Sequence, residues 1–476
     1  YLISRTVPSV IFSFVSAGIA TGFIPMYSRI LAEHGKDEAD RYTSNVSNAL
    51  LILASIVAVF VLLFAEPVVK VFALGFSGDT LDMAITLTRI SVFGVFFTGL
   101  ANIFSGYLRL HGDFIIPALI GFPMNFVIIV SLFLSSRTNI YVLAIGTVVS
   151  TASQVLLCIP FLAKADYRHR LVLDMSNEHL KAMVLLALPV IMGTAVNDIN
   201  VLVDRTMASQ LAVGGISALN YAKHLNGFVQ GLFVVSVTTV LYPMISKMAA
   251  EGNLKSLKAH LAEAMAMVNL LVVPATAGAM IFSREIVTLL FGRGAFTPEA
   301  IDMTGTALRY YSIGMIAFGL RDVLTRAFYS LQDTRTPMAN SAVAVLVNIA
   351  LNIILAKFLG IGGLALATSI SAIVSAALMF ITLRKKIGPF GLKETAKSFA
   401  KMVGASILMG IAAYHSFVLF RRFLVQNAAL IAAIGVGALT YGILILFMKI
   451  PEVDRTVEAV KHRLRKRFLQ RRGPEA

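Results

Sequence analysis

The sequence predicts an all-α polytopic membrane protein made of two related lobes and an extra C-terminal helix pair. Three observations carry this. Apolar residues are 57% of the 476 and charged residues only 14%, with a mean hydropathy of +0.81, whereas soluble chains are about 45 to 50% apolar. Apolar runs of about 20 residues, the length that crosses a bilayer, recur along the whole chain. The third is an internal repeat. Residues 309–337, RYYSIGMIAFGLRDVLTRAFYSLQDTRTP, lie over residues 89–117, RISVFGVFFTGLANIFSGYLRLHGDFIIP, and match at Arg309/Arg89, Gly314/Gly94, Gly319/Gly99, Leu320/Leu100, Asp333/Asp113 and Pro337/Pro117. IPMYSRILAE (24–33) likewise reappears as YPMISKMAAE (242–251) at nearly the same offset. Aliphatic matches arise between any two apolar helices, but Pro, Gly, Asp and Arg in order do not.

In chain order, spans at 7–28, 46–65, 84–108, 114–135 and 140–163 make the first lobe, residues 1–164. Between them, 29–42 is polar and charged, and 66–82, with Pro67, Gly75 and Gly78, reads as a short outer interfacial segment. Residues 164–181, KADYRHRLVLDMSNEHLK, form the longest polar interruption; the part from 165 onward is expected to be a cytoplasmic linker with an amphipathic piece on the membrane surface. The second lobe, 182–386, takes spans at 182–210, 215–245, 262–282, 303–325, 338–356 and 361–383. Spans at 400–420 and 428–448 lie in a further segment, 387–449, that has no image in the repeat. The tail, 450–476, has an apolar stripe flanked by basic residues and is expected to be an amphipathic helix on anionic lipid. The second lobe has one span more than the first, and Tyr1 is not an initiator Met. One helix is therefore expected before residue 1, giving fourteen in all.

The formal charge of +16 is unevenly spread. Roughly 28 of the 41 Lys and Arg fall in alternate loops and the tail, and roughly seven in the opposing loops. That asymmetry orients the chain with its C-terminus in the cytoplasm and explains the charge without nucleic acid. The single Cys158 sits in an apolar run and reads as a small buried residue, not as part of a disulfide or metal cluster.

Function is sought among the charges inside spans, where a basic residue at a helix centre costs on the order of 2.5 to 3.5 kcal/mol. The basic ones are Arg5, Arg89, Arg205, Lys223, Arg309 and Arg321, and the acidic ones Asp198, Asp204 and Asp322. Positive charge is left over even if every acid pairs. Surplus guanidinium forks suit a phosphate or pyrophosphate, which makes Arg5, Lys223, His224, Arg205 and Arg89 the candidate substrate site. Bland readings stand beside this one. Arg5, Lys223 and His224 are near enough to the outer interface to snorkel, and Arg89 and Arg309 sit at equivalent places where structural ties would recur. Arg309, Arg321, Asp322 and Arg326 are candidates for cavity or gate ion pairs, Asp322 and Arg326 being i, i+4.

Asp204, Asn348, Asn352 and Thr368 offer the hard oxygen donors that Na⁺ requires. Hydrogen bonding between helices is the competing reading of the amides. The sequence holds no GxxxxGK[ST], HExxH, GxSxG or CxxC motif, so a transporter driven by Na⁺, H⁺ or the membrane potential is expected in preference to an enzyme; a membrane-embedded enzyme acting on lipid phosphates is the alternative of a different class, with no acid-rich catalytic loop or His pair to support it.

Residues 292–338, GRGAFTPEAIDMTGTALRYYSIGMIAFGLRDVLTRAFYSLQDTRTPM, resemble the signature region of the MurJ (MviN) lipid II flippases, with GAFTPE and AFYSLQDTRTP the most specific strings. VDRTMASQLAVGGISALNYAKHLNGF (203–228) and FIPMYSRILAE are similar to the corresponding family segments. The resemblance implies a MOP-type, MATE-like exporter of fourteen helices in the bacterial cytoplasmic membrane. Its substrate would be lipid II, the undecaprenyl-pyrophosphate-linked peptidoglycan precursor, moved outward by alternating access, with the last two helices as a groove for the lipid tail. Anionic membrane lipids and cell-wall synthesis proteins are the implied partners. The chain departs from the family pattern in two places. PSVIFSF (8–14) lacks the Arg many members carry there, and Tyr221-Ala222-Lys223-His224-Leu225 stands where others read Tyr-Ala-Asp-Arg-Leu. Arg5 and Lys223 are the expected substitutes. Export of another polyprenyl-linked glycan, such as a teichuronic or capsular precursor, is the second reading; a drug antiporter and a non-transporting scaffold for wall synthesis follow.

Overall fold

A computed structural model describes residues 1–390 and 392–448. The basic tail at 450–476 lies outside the described residues. Among those described no strand occurs, and the helices string into thirteen rods that coincide with the expected spans. Ten rods are long and apolar enough to cross a membrane by length and composition.

The chain divides into two compact units, Tyr1–Gln210 and Leu211–Ala476. The first contains α1 (Leu2–Gly18), α2 (Ile24–His34), α3 (Lys36–Leu63), α4 (Ala65–Phe72), α5 (Gly78–Ser91), α6 (Gly94–Leu110), α7 (Ile115–Leu119), α8 (Gly121–Arg137), α9 (Ile140–Lys164) and α10 (Glu178–Leu211). The second contains α11 (Gly215–Val229), α12 (Val235–Ala250), α13 (Leu254–Ile281), α14 (Ser283–Phe291), α15 (Pro298–Ser330), α16 (Arg335–Leu359), α17 (Ile361–Ile387), α18 (Leu392–Phe420) and α19 (Gln426–Phe447). This packing boundary lies beyond the repeat boundary, because α10 bonds to α1 and α4. The stretch 29–42, expected as a loop, is helical on both sides of Gly35, whose φ of 82° breaks the rod. Apolar windows report only the bilayer-crossing part of a helix, and these two helices run past it.

In the first unit α3, α6 and α9 enclose a core around Phe23, Tyr27, Tyr42 and Tyr107. In the second, α15 is the axis and packs on α11, α12, α13, α14 and α17, while α18 and α19 pair and lean on α13. A π-helical segment interrupts one rod in each unit, at Ile19–Phe23 between α1 and α2 and at Gln230–Val234 between α11 and α12.

The repeated residues earn their places by geometry. After α6 the chain turns through Gly112 at φ 82°, the Asp113 N–H donates to the Leu108 carbonyl at 3.0 Å, and the Asp113 carboxylate accepts from Ile115 and Ile116 N–H at 3.1 Å. After α15 it turns through Gln332 at φ 58°, the Asp333 N–H donates to the Phe328 carbonyl at 2.9 Å, and its carboxylate accepts from the Thr336 N–H at 3.0 Å. Each aspartate thus closes one helix and caps the next. The glycines mark close approach. A Cβ on Gly99 would sit 2.5 Å from Leu50 Cδ2, on Gly319 2.9 Å from Val268 Cγ1, and on Gly314 2.7 Å from the Ser369 Cα.

The linker is a strap. No helix forms over 167–174; instead the polar stripe of α3 holds it. Asn45 exchanges two bonds with the Asp174 backbone, at 2.9 and 2.7 Å, Asn48 donates to the carbonyls of Arg170 and Val172, and Ser44 accepts from the Arg170 N–H. Arg170 also pairs with Asp37. The stretch expected to hold an amphipathic piece therefore lies along α3, with Leu171 fully exposed.

Candidate functional site

The first unit places basic residues near the N-terminal end of α1. Arg5 is exposed, its guanidinium 5.9 Å from the Tyr1 ring centroid. Arg205, on α10, reaches α1 through Nη1, donating to the Leu2 carbonyl at 3.2 Å and to the Thr6 hydroxyl. Two of its five donors are thus committed to holding two helices together. Arg89, near the end of α5, is exposed and among the described residues makes no hydrogen bond or ion pair.

In the second unit, Lys223 and His224 are both exposed on α11, about two turns in from its start. Tyr221 just before them packs its ring on Phe291 at 4.8 Å and on Phe296 at 5.4 Å, which fixes that end of α11 against the segment leading into α15. That segment is the GAFTPE string, and its letters are a helix start: Thr297 caps α15 by accepting from the Ala300 N–H, with Pro298 in the first turn. Arg309 is exposed on α15.

The expected ion-pair cluster does not form. Among the described residues Asp322 and Arg326 make no ion pair; the Arg326 guanidinium lies over the Tyr242 ring at 5.6 Å and that of Arg321 over Phe318 at 5.3 Å. Helical spacing brings i, i+4 residues into reach, but facing aromatic rings offer these guanidiniums a better-desolvated partner. Both Arg321 and Arg326 are half-buried.

Asn348, Asn352 and Thr368 do come together. The Asn352 amide donates to Asn348 Oδ1 at 3.0 Å, the Asn348 amide to Thr368 Oγ1 at 3.3 Å, and the Thr368 hydroxyl to the Leu364 carbonyl at 2.9 Å. Both Asn side chains are fully buried in the seam of α16 and α17. The chain of donors runs one way and engages the Asn348 oxygen, so as it stands the trio ties two helices. Asp204 belongs to the first unit, and among the described residues no three His, Cys, Asp or Glu cluster as metal ligands.

Sequence reading missed one polar group and the partner of another. Asp40 is buried near the start of α3 and accepts from the phenols of Tyr107 at 2.9 Å and Tyr27 at 3.3 Å. It sat in a stretch read as a solvated loop, and only the continuation of α3 into the core shows otherwise. Asp198 was noted as an in-span acid, but its partner, Ser13 on α1, carries no sequence signal.

The family described as "Lipid II flippase MurJ" matches residues 1–434. A probable lipid II flippase MurJ of Vibrio cholerae is 29% identical over 379 residues, 77% of this chain and 72% of that protein. One from Thermotoga maritima is 26% identical over 451 residues, 94% and 89%. Among solved structures, a lipid II flippase MurJ in an inward closed conformation aligns with TM-score 0.79 at 25% identity, covering 93% of this chain and 91% of that one. An inward-facing multidrug MATE transporter of the MOP superfamily aligns with TM-score 0.71 at 17% identity, over 81% and 90%, and shows the shared fold alone.

Proposed function

Because the chain belongs to the lipid II flippase family MurJ, we propose that it moves lipid II from the inner to the outer leaflet of a bacterial cytoplasmic membrane. It is a multi-pass transporter and not an enzyme. The observation that carries this reading is the family match over residues 1–434, which takes in both repeated lobes and most of the final helix pair. Alternating access is the mode: MATE transporters of the same fold occur in inward-facing and outward-facing forms.

The exposed in-span cations fit a pyrophosphate. Arg89 and Arg309 sit in apolar spans with no hydrogen bond or ion pair among the described residues, and Arg5 meets only the Tyr1 ring, a costly state that an anionic substrate relieves. Lys223 adds a positive charge on α11 with His224 beside it, and Arg5 and Lys223 are each expected to bind the substrate. Arg205 assists by holding α1 in place. The driving ion is Na⁺ or H⁺, or the membrane potential acts alone. The C-terminus faces the cytoplasm, where its basic tail meets anionic lipids and wall-synthesis proteins can gather. The departure at Lys223-His224 favours one further reading, a flippase for another polyprenyl-pyrophosphate glycan.

Complementation in cells depleted of their own lipid II flippase tests this. Full-length chain is expected to restore growth, and a normally expressed Arg5→Ala, Lys223→Ala double variant to fail. A well-expressed parent that does not rescue overturns lipid II as substrate; rescue by both removes the site assignment.

A further inference from the structure

A slot with an entirely apolar lining opens in the first unit between α3, the π-helical segment and the start of α10. Its volume is about 290 Å³, and every side chain that bounds it is aliphatic or a methionine. Ile19, Val46, Leu50 and Ala187 are buried at its floor, whereas Leu53, Ile56 and Val184 are exposed at its rim. Met175, at the end of the strap, adds to that rim.

Met183 sets how near α10 comes. Its sulfur accepts from the Tyr42 hydroxyl of α3 at 3.1 Å, and its carbonyl oxygen is 2.9 Å from where a Cβ on Gly22 would stand. Past that seat α10 brings only Val184 and Ala187 to the branched side chains of α3, and the space between is left over.

The second unit shows how such a face is closed. α13 has 28 residues like α3 and begins 218 positions later, the offset that also relates the two copies of IPMYSRILAE, so Ile52 corresponds to Leu270. Leu270 is half-buried beneath α18 and α19: it packs on the cluster of Met402 and Ile445, and its carbonyl accepts from the Tyr441 hydroxyl at 2.9 Å. Ile52 has no such cover among the described residues and is 45% exposed.

What covers it follows from where it lies. Val46 to Ile56 belong to a helix long and apolar enough to cross the membrane, so the open side of the slot meets hydrocarbon and not water. Empty space beside such a lining forfeits dispersion contacts that a neighbouring chain restores, and an apolar cavity of about 150 Å³ already takes up benzene. A helix, about 10 Å across with its side chains, does not enter a slot whose walls touch at Met183; a single flexible chain does. At the end where α3 and α10 both begin, Lys181 lies one turn before Val184 on the same edge of α10. It is exposed and makes no ion pair among the described residues, Glu178 three positions earlier included.

We propose that the slot binds one acyl chain of a membrane phospholipid whose phosphate lies beside Lys181. The lipid closes in the first unit the face that α18 and α19 close in the second. This rests on the chain crossing a membrane and not on what it carries.

Native mass spectrometry of the full-length protein, extracted from membranes into detergent, tests it. One phospholipid is expected to stay with each chain. Val184→Phe at the rim and Ala49→Phe on the α3 wall should each lower the retained fraction several-fold, while Ile129→Phe on the exposed face of α8 leaves it as in the parent. A parent that retains no phospholipid, or filled variants that retain as much as the parent, overturns the site. Lys181→Ala should also weaken retention several-fold; unchanged retention overturns the phosphate contact. The parent alone decides the position, whatever the variants do to folding. In vesicles of phosphatidylethanolamine and phosphatidylglycerol, a phospholipid with a photoreactive group in its acyl chain is expected to label residues 46–56 and 175–187 above those of α8. Equal labelling of α8, or labelling of the slot only by a polyprenyl phosphate carrying the same group, overturns the proposal.

Discussion

Asp113 and Asp333, 220 positions apart, close the same turn: each donates its N–H to the carbonyl five residues earlier and caps the following helix with its carboxylate. The second has an additional partner, Lys386, at 2.6 Å, which ties the end of α17 to that turn. Removing a cap costs about 1 kcal/mol, and a half-exposed ion pair adds about 0.5 kcal/mol. Asp333→Ala is therefore expected to lower the thermal midpoint of the purified protein more than Asp113→Ala does. Equal shifts would show that Lys386 contributes nothing.

The same tie has a pH signature. Burial opposes ionisation of Asp333, but the bonds from Lys386 and Thr336 outweigh it and hold its carboxyl down at about 2. An aspartate in the unfolded chain titrates near about 3.9. Its contribution is thus complete above about pH 4 and lost as pH falls toward about 2. Over that window the parent should lose stability more steeply than Asp333→Asn, measured by unfolding in detergent.

Repeat glycines differ in how much room they have. A Cβ on Gly314 would meet the Ser369 backbone at 2.7 Å, whereas on Gly94 its nearest neighbour is the Thr151 hydroxyl at 3.5 Å. Gly314→Ala should destabilise by about 1 to 3 kcal/mol through overpacking of α15 on α17, and Gly94→Ala by little. Denaturation midpoints of the two variants decide this.

The strap over α3 predicts a protease phenotype. Asn48 holds two carbonyls of the 170–172 stretch. Asn48→Ala should free it, and trypsin should then cut after Arg168 and Arg170 several times faster than in the parent. Unchanged cleavage would mean that Asn45 and Arg170 suffice.

Ion dependence separates the two uses of the amide trio. If Na⁺ drives transport through Asp204, then Asp204→Ala should abolish Na⁺ dependence of lipid II translocation. Asn348→Ala breaks both side-chain bonds of the trio and should lower stability by about 1 to 3 kcal/mol, since it leaves buried polar groups unserved. Stability unaffected by Asn348→Ala would argue against the tie between α16 and α17.

Much of the fold was legible because a bilayer imposes length and polarity on each rod, and duplication wrote the pattern twice. The helix extensions around Gly35 were hidden, since beyond the membrane nothing forces apolar composition. The linker was read as amphipathic from its own letters, although its conformation is set by Asn45 and Asn48 far upstream. The cations of the site stood out because charge inside a span is costly. Their geometry did not: Arg205 turns to α1 and Arg326 to Tyr242 for reasons lying in partners that the sequence does not announce.

The residues that still agree between the two halves also sort themselves. Gly99 and Gly319, Asp113 and Asp333, and the buried Pro117 and Pro337 are each pinned by a neighbouring side chain, a cap or a turn. Arg89 and Arg309 have no such anchor and stand exposed in both halves. Sterics leaves drift open to these two arginines, and they have nonetheless stayed alike. A duplicated scaffold thus acts as its own control experiment: subtract every match that packing demands, and the exposed arginines are among the positions left over.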